Sequence, residues 1–566
     1  MNNKKTVKPL GLFGLLSKNA PNKVFFGLLL GCIAGFGFAV IMPLILTSLK
    51  PALSVLMTSE FVWPYLLFGK FEIFTPKFAL AFFLVCIFIL ICRATSEAIL
   101  ARVAIDASID LRKDMYKRVS QLPIQDLDRI GPSRLITSLD NDVPKIVEGA
   151  SIFPDLIVAT TTLIGLLSFL VYLNVNVLLF ILGVIIFGAI TYRIPLYFAQ
   201  EDLTQSRETL DGLQEGTRGL IYGAKELKLN IERRKSYYNM DLDAHEEEFR
   251  ETQKRGMTTL IFGMTYGNMV SFFSIGAVTF VMGTYYSLTP TALVGVVMVM
   301  FYIMGPISTL IRSVGPVMQA SIAAKKLSQL INEMPVEPAS QSTEPVACDE
   351  INLENVSFSY PQQEDEDTSF NVGPFDLSIK RGEITFLVGG NGSGKTTLGK
   401  ILSLHYLPNE GNLLFNNVKI TDENREMARQ NVSAIYADFY LFTRLFGMNE
   451  QELDAKAGDK IKELGLEGKV KIKNGQFSST SLSAGQKKRL ALLVAYLEER
   501  DIYVFDEWAA DQDPEFKEVF YHQILPSLKE KNKLLIVISH DDRYFHLADK
   551  IIRMENGKVI SQETHS

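Results

Sequence analysis

The sequence predicts a multidomain chain, with six membrane-spanning α-helices followed by an α/β domain built on a phosphate-binding loop. Three observations carry this. Six apolar stretches are each long enough to cross a bilayer, which takes roughly 20 residues. Charge changes sign near residue 340: residues 1–340 hold 31 Lys+Arg and 27 Asp+Glu, while residues 341–566 hold 26 and 36, giving the overall -6 of this 566-residue chain. A glycine-rich run, Gly389–Thr396, stands between a strand pattern and a helix pattern. The mean hydropathy of +0.14 excludes a disordered chain and an ordinary water-soluble enzyme. The acidic second half repels phosphate backbones, so no nucleic-acid partner is expected. Cys32, Cys86, Cys92 and Cys348 show no C-x-x-C spacing and read as packing thiols.

The six spans run approximately over 24–46, 78–100, 152–173, 177–197, 257–283 and 291–312, within a membrane domain at 1–333. Phe78 to Cys92 carries no charge at all. Arg93 and Glu97 are four residues apart and face one side of a helix, as an intrahelical pair at the interface would. Lysines 4, 5, 8, 18 and 23 precede the first span, and basic residues crowd 101–151 and 198–256, whereas the short turns near 174–176 and 285–290 carry no charge. Positive charge stays on the cytosolic side, so both termini are expected there. Leu10–Leu16 reads as a short interfacial helix rather than a signal peptide, since no small-residue cleavage site follows. The two long loops read as helical extensions of the spans, each joined by a short cross-piece, at Leu122–Asp128 and Gly219–Lys225. Such cross-pieces suit contact with a cytosolic motor.

Residues 334–349 are rich in Pro, Glu, Ser and Thr and read as a linker, leaving 350–566 as the second domain. Ile351–Tyr360 alternates as a strand, and Glu364–Asp367 reads as a solvated turn. The buried strand Glu383–Val388 runs into Gly389-Gly-Asn-Gly-Ser-Gly394-Lys395-Thr396, which is G-x-x-x-x-G-K-T ahead of a helix. Gly389, Asn391, Gly392 and Gly394 let backbone N–H groups wrap phosphate oxygens. Lys395 is positioned for the β/γ phosphates, Thr396 for Mg²⁺, and Thr397 follows in the same helix. A second strand, Ile502–Phe505, ends in Asp506-Glu507; there Asp506 suits Mg²⁺ and Glu507 suits the general base that polarises the attacking water. A third, Leu534–Ser539, ends in His540, within reach of a γ-phosphate. Leu482-Ser483-Ala484-Gly485-Gln486 opens a helix and makes a second anion site, which points to a nucleotide shared with another chain.

Taken together, L-S-A-G-Q between G-x-x-x-x-G-K-T and Y-V-F-D-E, followed by S-H, resembles the ABC transporter ATPase, a P-loop NTPase. Six upstream spans with two long cytosolic loops resemble an exporter-type half-transporter, the type I ABC exporter architecture. The resemblance implies ATP and Mg²⁺ as cofactors, adenine stacked on Tyr360, and a γ-phosphate from the partner chain at Ser483, Gly485 and Gln486. It also implies Asp513 in the loop after the catalytic strand, a homodimer with composite ATP sites, and a bacterial inner-membrane location. This sequence departs from the family at the Q-loop glutamine: Ala437 stands there in Ile435–Phe442, with Asp438 beside it as a substitute metal ligand. Asn474–Ser481 replaces an acidic segment usual before the signature, and Trp508–Asp513 is an unusual loop. With Gly223-Ala-Lys-Glu-Leu-Lys-Leu-Asn230, these features are similar to the bacterial cyclic-peptide exporters of the pyoverdine-siderophore and lasso-microcin type. The expected function is therefore export of a peptide or peptide siderophore. Lipid or drug export is the alternative, and ATP-driven regulation without transport a further one. No Cys/His peptidase pattern precedes the spans, so leader cleavage is not expected.

Overall fold

The computed structural model describes residues 14, 20–58, 65–67, 71–73, 76–286, 288–338, 348–360, 370–447 and 450–565. The expected helix at 10–16 (Gly14 apart), the acidic turn at 364–367 and most of the linker lie outside them.

Six helical segments are long and apolar enough to span a membrane: Pro21–Leu49, Pro76–Ser120, Pro132–Leu173, Val175–Tyr222, Ile231–Tyr285 and Pro290–Glu333. All but the first run well past the apolar stretch that defines them, because the polar flanks continue the helical pattern. Asn174 caps the fourth, its side chain accepting from the Asn176 and Val177 N–H groups. Between the first two spans lies a small antiparallel hairpin, Tyr65–Leu67 with Phe71–Ile73, which the charge pattern of that loop did not announce.

Two units emerge. The first comprises Met1–Lys113 and Thr137–Ile331. Its helices pack through small residues: Ser96 Oγ donates to the Gly27 carbonyl at 2.6 Å and Thr162 Oγ1 to the Gly35 carbonyl at 3.2 Å. Its outer surface is apolar, with Phe83, Leu90, Phe273 and Phe280 exposed while Ile89 and Cys92 on the same helix as Phe83 are buried. That inversion is intolerable in water and expected in lipid. The Arg93–Glu97 pair forms, Nε to Oε1 at 2.6 Å. Asp155 from the next span adds a third charge at 3.7 Å, and Phe38 lies under the guanidinium.

The second unit comprises Asp114–Ile136 and Asn332–Ser566. The first cross-piece therefore clusters with the α/β domain rather than with the spans that flank it. That domain holds a six-stranded sheet in the order 558–564, 550–555, 384–389, 534–538, 502–506, 432–435, parallel except for the 558–564 edge. A four-stranded antiparallel sheet, 371–380, 350–359, 410–415, 418–419, packs beside it. The central strands are buried on both faces, as parallel strands are. Phe386, Phe505 and Val537 enter one core; Leu387, Val504 and Ile538 enter the other.

Candidate functional site

Three neighbouring parallel strands deliver the chemistry at their carboxyl ends, where ligands of such sheets bind. Strand 384–389 leads into the glycine loop, 502–506 into Glu507, and 534–538 between them into Ser539 and His540. The loop geometry depends on glycine. Gly392 and Gly394 adopt φ of 76° and 95°. A Cβ at Gly389 would lie 2.2 Å from the Met554 carbonyl oxygen, and one at Gly394 would lie 2.8 Å from Val372. The helix Lys395–Leu402 begins at Gly394, so its free N–H groups face the loop.

Lys395 is buried and folds back over the loop, Nζ donating to the Gly389 and Gly390 carbonyls at 2.9 and 2.8 Å. Burial lowers its pKa, against the pull of Glu507 and Asp506. Asp506 is buried as well, and burial raises its pKa despite a hydrogen bond from Thr396. Thr396 Oγ1 stands 3.5 Å from Asp506 Oδ1. Glu507 takes a left-handed backbone, φ 48°, fixed by its N–H to the Ile538 carbonyl at 3.1 Å and by Lys488 Nζ on its own carbonyl at 2.8 Å. His540 Nε2 lies 3.1 Å from Glu507 Oε1. The two line one cavity of about 410 Å³ with Lys517, Ser539 and Arg543. Tyr360 is partly buried; its hydroxyl meets Thr397 Oγ1 at 3.0 Å, and its ring stands edge-on to Phe358 and Tyr406.

The residues present fit a nucleotide with a divalent cation. The cradle is one that a Cβ would fill, and the buried lysine ammonium satisfies itself on loop carbonyls. The paired hydroxyl and carboxylate are hard oxygen donors suited to Mg²⁺, which commonly takes one or two protein ligands and completes its shell with water and phosphate. Among the described residues no cluster of three or more His, Cys, Asp or Glu competes for a metal. Asp438, two residues past Tyr436 at the loop following strand 432–435, is exposed and makes no hydrogen bond among the described residues; its field reaches Asp506.

The signature residues form a second cluster. Ser483 caps the helix Ala484–Glu498 in a capping box, accepting from the Gln486 N–H while the Gln486 side chain accepts from the Ser483 N–H. Gly485 leaves no room for a side chain, since a Cβ would lie 2.9 Å from the Asp511 carbonyl oxygen. The Gly485 carbonyl accepts from Gln512 Nε2 at 3.0 Å, and Gln512 Oε1 accepts from Arg489 at 2.8 Å. Asp513 caps the next helix through the Phe516 N–H and pairs with Arg489; that N–H first, and Arg489 after it, hold its carboxyl below the usual range. Among the described residues this cluster shares no hydrogen bond with the glycine loop. Sequence reasoning missed Lys488, which ties Asp511 at 2.9 Å as well as the Glu507 carbonyl, and Trp508, whose indole N–H donates to the Lys488 carbonyl. The odd Trp508–Asp513 loop was the one signal available.

Residues 24–200 match the family model described as the ABC transporter transmembrane region, and residues 372–510 match the ABC transporter model. The chain is 34% identical over 466 residues to the ATP-binding protein SyrD of Pseudomonas syringae pv. syringae, covering 80% of this chain and 82% of the relative. The chain belongs to the ABC transporter family. It is an exporter-type half-transporter, with one membrane domain and one ATPase domain, and it hydrolyses ATP coupled to transport. It is also 26% identical over 504 residues to an ATP-dependent lipid A-core flippase of Bordetella pertussis, covering 84% of this chain and 78% of that one. A bacterial Atm1-family ABC exporter solved with ATP bound superposes with a TM-score of 0.72 at 16% identity, over 96% of both chains, and so shares the fold.

Proposed function

We propose that this half-transporter works as a homodimer in the bacterial inner membrane, both termini cytosolic, and exports a peptide-type substrate such as a cyclic peptide or peptide siderophore. The observation that carries the motor half of this reading is Glu507, at the end of strand 502–506, held beside His540 after strand 534–538, which itself adjoins the glycine-loop strand. Gly389, Asn391, Gly392, Gly394, Lys395 and Thr397 cradle the phosphates, and Tyr360 flanks the base. Thr396 and Asp506, with Asp438 in reserve, hold Mg²⁺, which supplies neutralisation of the β/γ oxygens when bound. Glu507 accepts a proton from the attacking water, and His540 keeps the Glu507 carboxylate aimed and reaches the γ-phosphate. Ser483, Gly485 and Gln486, with the Asp513 loop, complete the site on the partner copy. Closure of two such sites drives alternating access of the spans.

The peptide class is supported by Gly223–Asn230, which resembles the cyclic-peptide exporters. The flippase relatives favour a second reading, movement of lipids or hydrophobic drugs. ATPase assays in lipid vesicles with a panel of cyclic peptides and of lipids separate the two. Stimulation by peptides alone supports peptide export, and stimulation by lipids alone replaces it with the second reading.

A further inference from the structure

The helix that leaves the glycine loop ends in a turn, residues 400–406, and two elements outside the sheet grip that turn. The first is the cytosolic cross-piece, here the helix Ile124–Ile130. Its Asp128 Oδ2 accepts from Tyr406 OH at 2.7 Å and from Lys400 Nζ at 3.0 Å, and Lys400 Nζ also donates to Tyr406 OH at 3.1 Å. Tyr406 is fully buried, stacked on Phe358 and edge-on to Tyr360, whose hydroxyl meets Thr397 in the first turn of the helix. The second is the segment after the last span: Glu337 pairs with Arg425 and Arg429, and Arg429 donates to the Leu404 carbonyl at 3.0 Å. Its Glu337 N–H in turn bonds the Gln121 carbonyl at 2.7 Å, just before the cross-piece. A helix of eight residues is about 12 Å long and stiff, so displacement of one end moves the other.

We propose that Asp128 is a positioning residue for the ATPase reaction. Through Lys400 and Tyr406 it holds the far end of the phosphate-loop helix and the aromatic layer containing Tyr360, and so it sets ATP affinity from the cytosolic loop of the membrane domain. The proposal rests on Tyr360 and the glycine loop binding ATP. Ala437 fits it, because the side chain that usually follows strand 432–435 is missing, and a route through Asp128 does not need it. By linkage, an element that nucleotide binding displaces must itself alter nucleotide affinity.

The test is a double-mutant cycle in full-length protein reconstituted in vesicles, with Asp128→Asn, Tyr406→Phe and the pair, reading KM for ATP, kcat and melting temperature. Each single variant is expected to raise KM roughly three- to tenfold, and the pair no more than the worse single, since both remove one hydrogen-bonded unit. Asp128→Glu should recover part of the loss. Multiplicative effects in the pair, or an unchanged KM with a lowered melting temperature, would overturn the proposal and leave Asp128 as a stabilising contact. If the parent protein itself shows no ATP-dependent turnover, the reading of the site fails as well, which the parent measurement reveals separately.

Discussion

The two cross-pieces between spans are alike in sequence role and opposite in finish. The first, Ile124–Ile130, is tied by charge and hydrogen bonds: Asp128 to Lys400 and Tyr406, Arg129 to Asp126 and the Glu333 carbonyl, Arg134 to Glu333. The second was expected at Gly219–Lys225, but residues 219–222 finish the long helix Val175–Tyr222 and the short helix is Ala224–Leu229; it buries Leu227 and leaves Ile221, Tyr222, Leu229 and Ile231 bare, with Tyr222 84% and Leu229 88% exposed. A row of exposed apolar side chains beside a short helix suits a partner surface. The difference teaches that one chain ties its first cross-piece with its own polar groups and leaves apolar side chains of the second uncovered, a surface that a second copy would cover under the proposed homodimer.

The largest expected effect tests whether either cross-piece has a motor to report. Glu507→Gln should lower ATP turnover by about 10²- to 10⁴-fold while ATP still binds; turnover near the parent value would remove Glu507 from the chemistry. Lys395→Ala should instead weaken nucleotide binding itself, read by a fluorescent ATP analogue. Next comes the polar finish of the first cross-piece. Glu337→Ala leaves the buried Arg425 with only the more distant, exposed Asp422 at 3.4 Å and should cost about 3 kcal/mol, seen in chemical denaturation of the full chain. A loss below about 0.5 kcal/mol would mean that the pairing is ornamental.

The apolar finish of the second predicts the reverse. Tyr222→Asp with Leu229→Asp should leave stability within about 0.5 kcal/mol, as surface changes do. It should still cut ATP-driven activity in vesicles roughly tenfold, on the scale of losing one buried anchor. Equal loss of stability would erase the contrast between the two loops. The smallest effect concerns His405, whose Nδ1 meets Ser403 Oγ at 2.6 Å beside the gripped turn. Burial, with Arg429 and Lys400 adding to it, lowers its pKa from 6.5 to about 4. The unfolded chain then binds more protons between those values, so stability is full above pH 6.5 and falls as pH drops toward 4. The loss should be about 1 kcal/mol between pH 6.5 and 5.5, and His405→Gln should flatten it.

How much of this the sequence disclosed follows from range. The six spans, the glycine loop and the strands ending in Asp506 and His540 were legible because hydropathy runs, glycine spacing and strand alternation are local signals. The Glu507–His540 approach needed only adjacent parallel strands. Asp128 on Tyr406 joins residues 278 positions apart, and nothing at position 128 distinguishes it from the other acids of that loop. The same holds for Asp155 joining Arg93, where spacing showed only the partner four residues along. Trp508 was visible as an oddity without a reason until its indole was found against Lys488. The assignment of 114–136 to the ATPase unit was hidden because that segment lies in sequence between two spans.

The ties among Gly485, Lys488, Arg489, Gln512 and Asp513 have a consequence for timing. The helix that opens with Ser483 is laced to the loop that begins at Glu507, so in the proposed homodimer the face offered to one nucleotide and the carboxylate serving the other would be joined by these bonds. Under the proposed homodimer, cleavage at one site would therefore be felt at the face offered to the other.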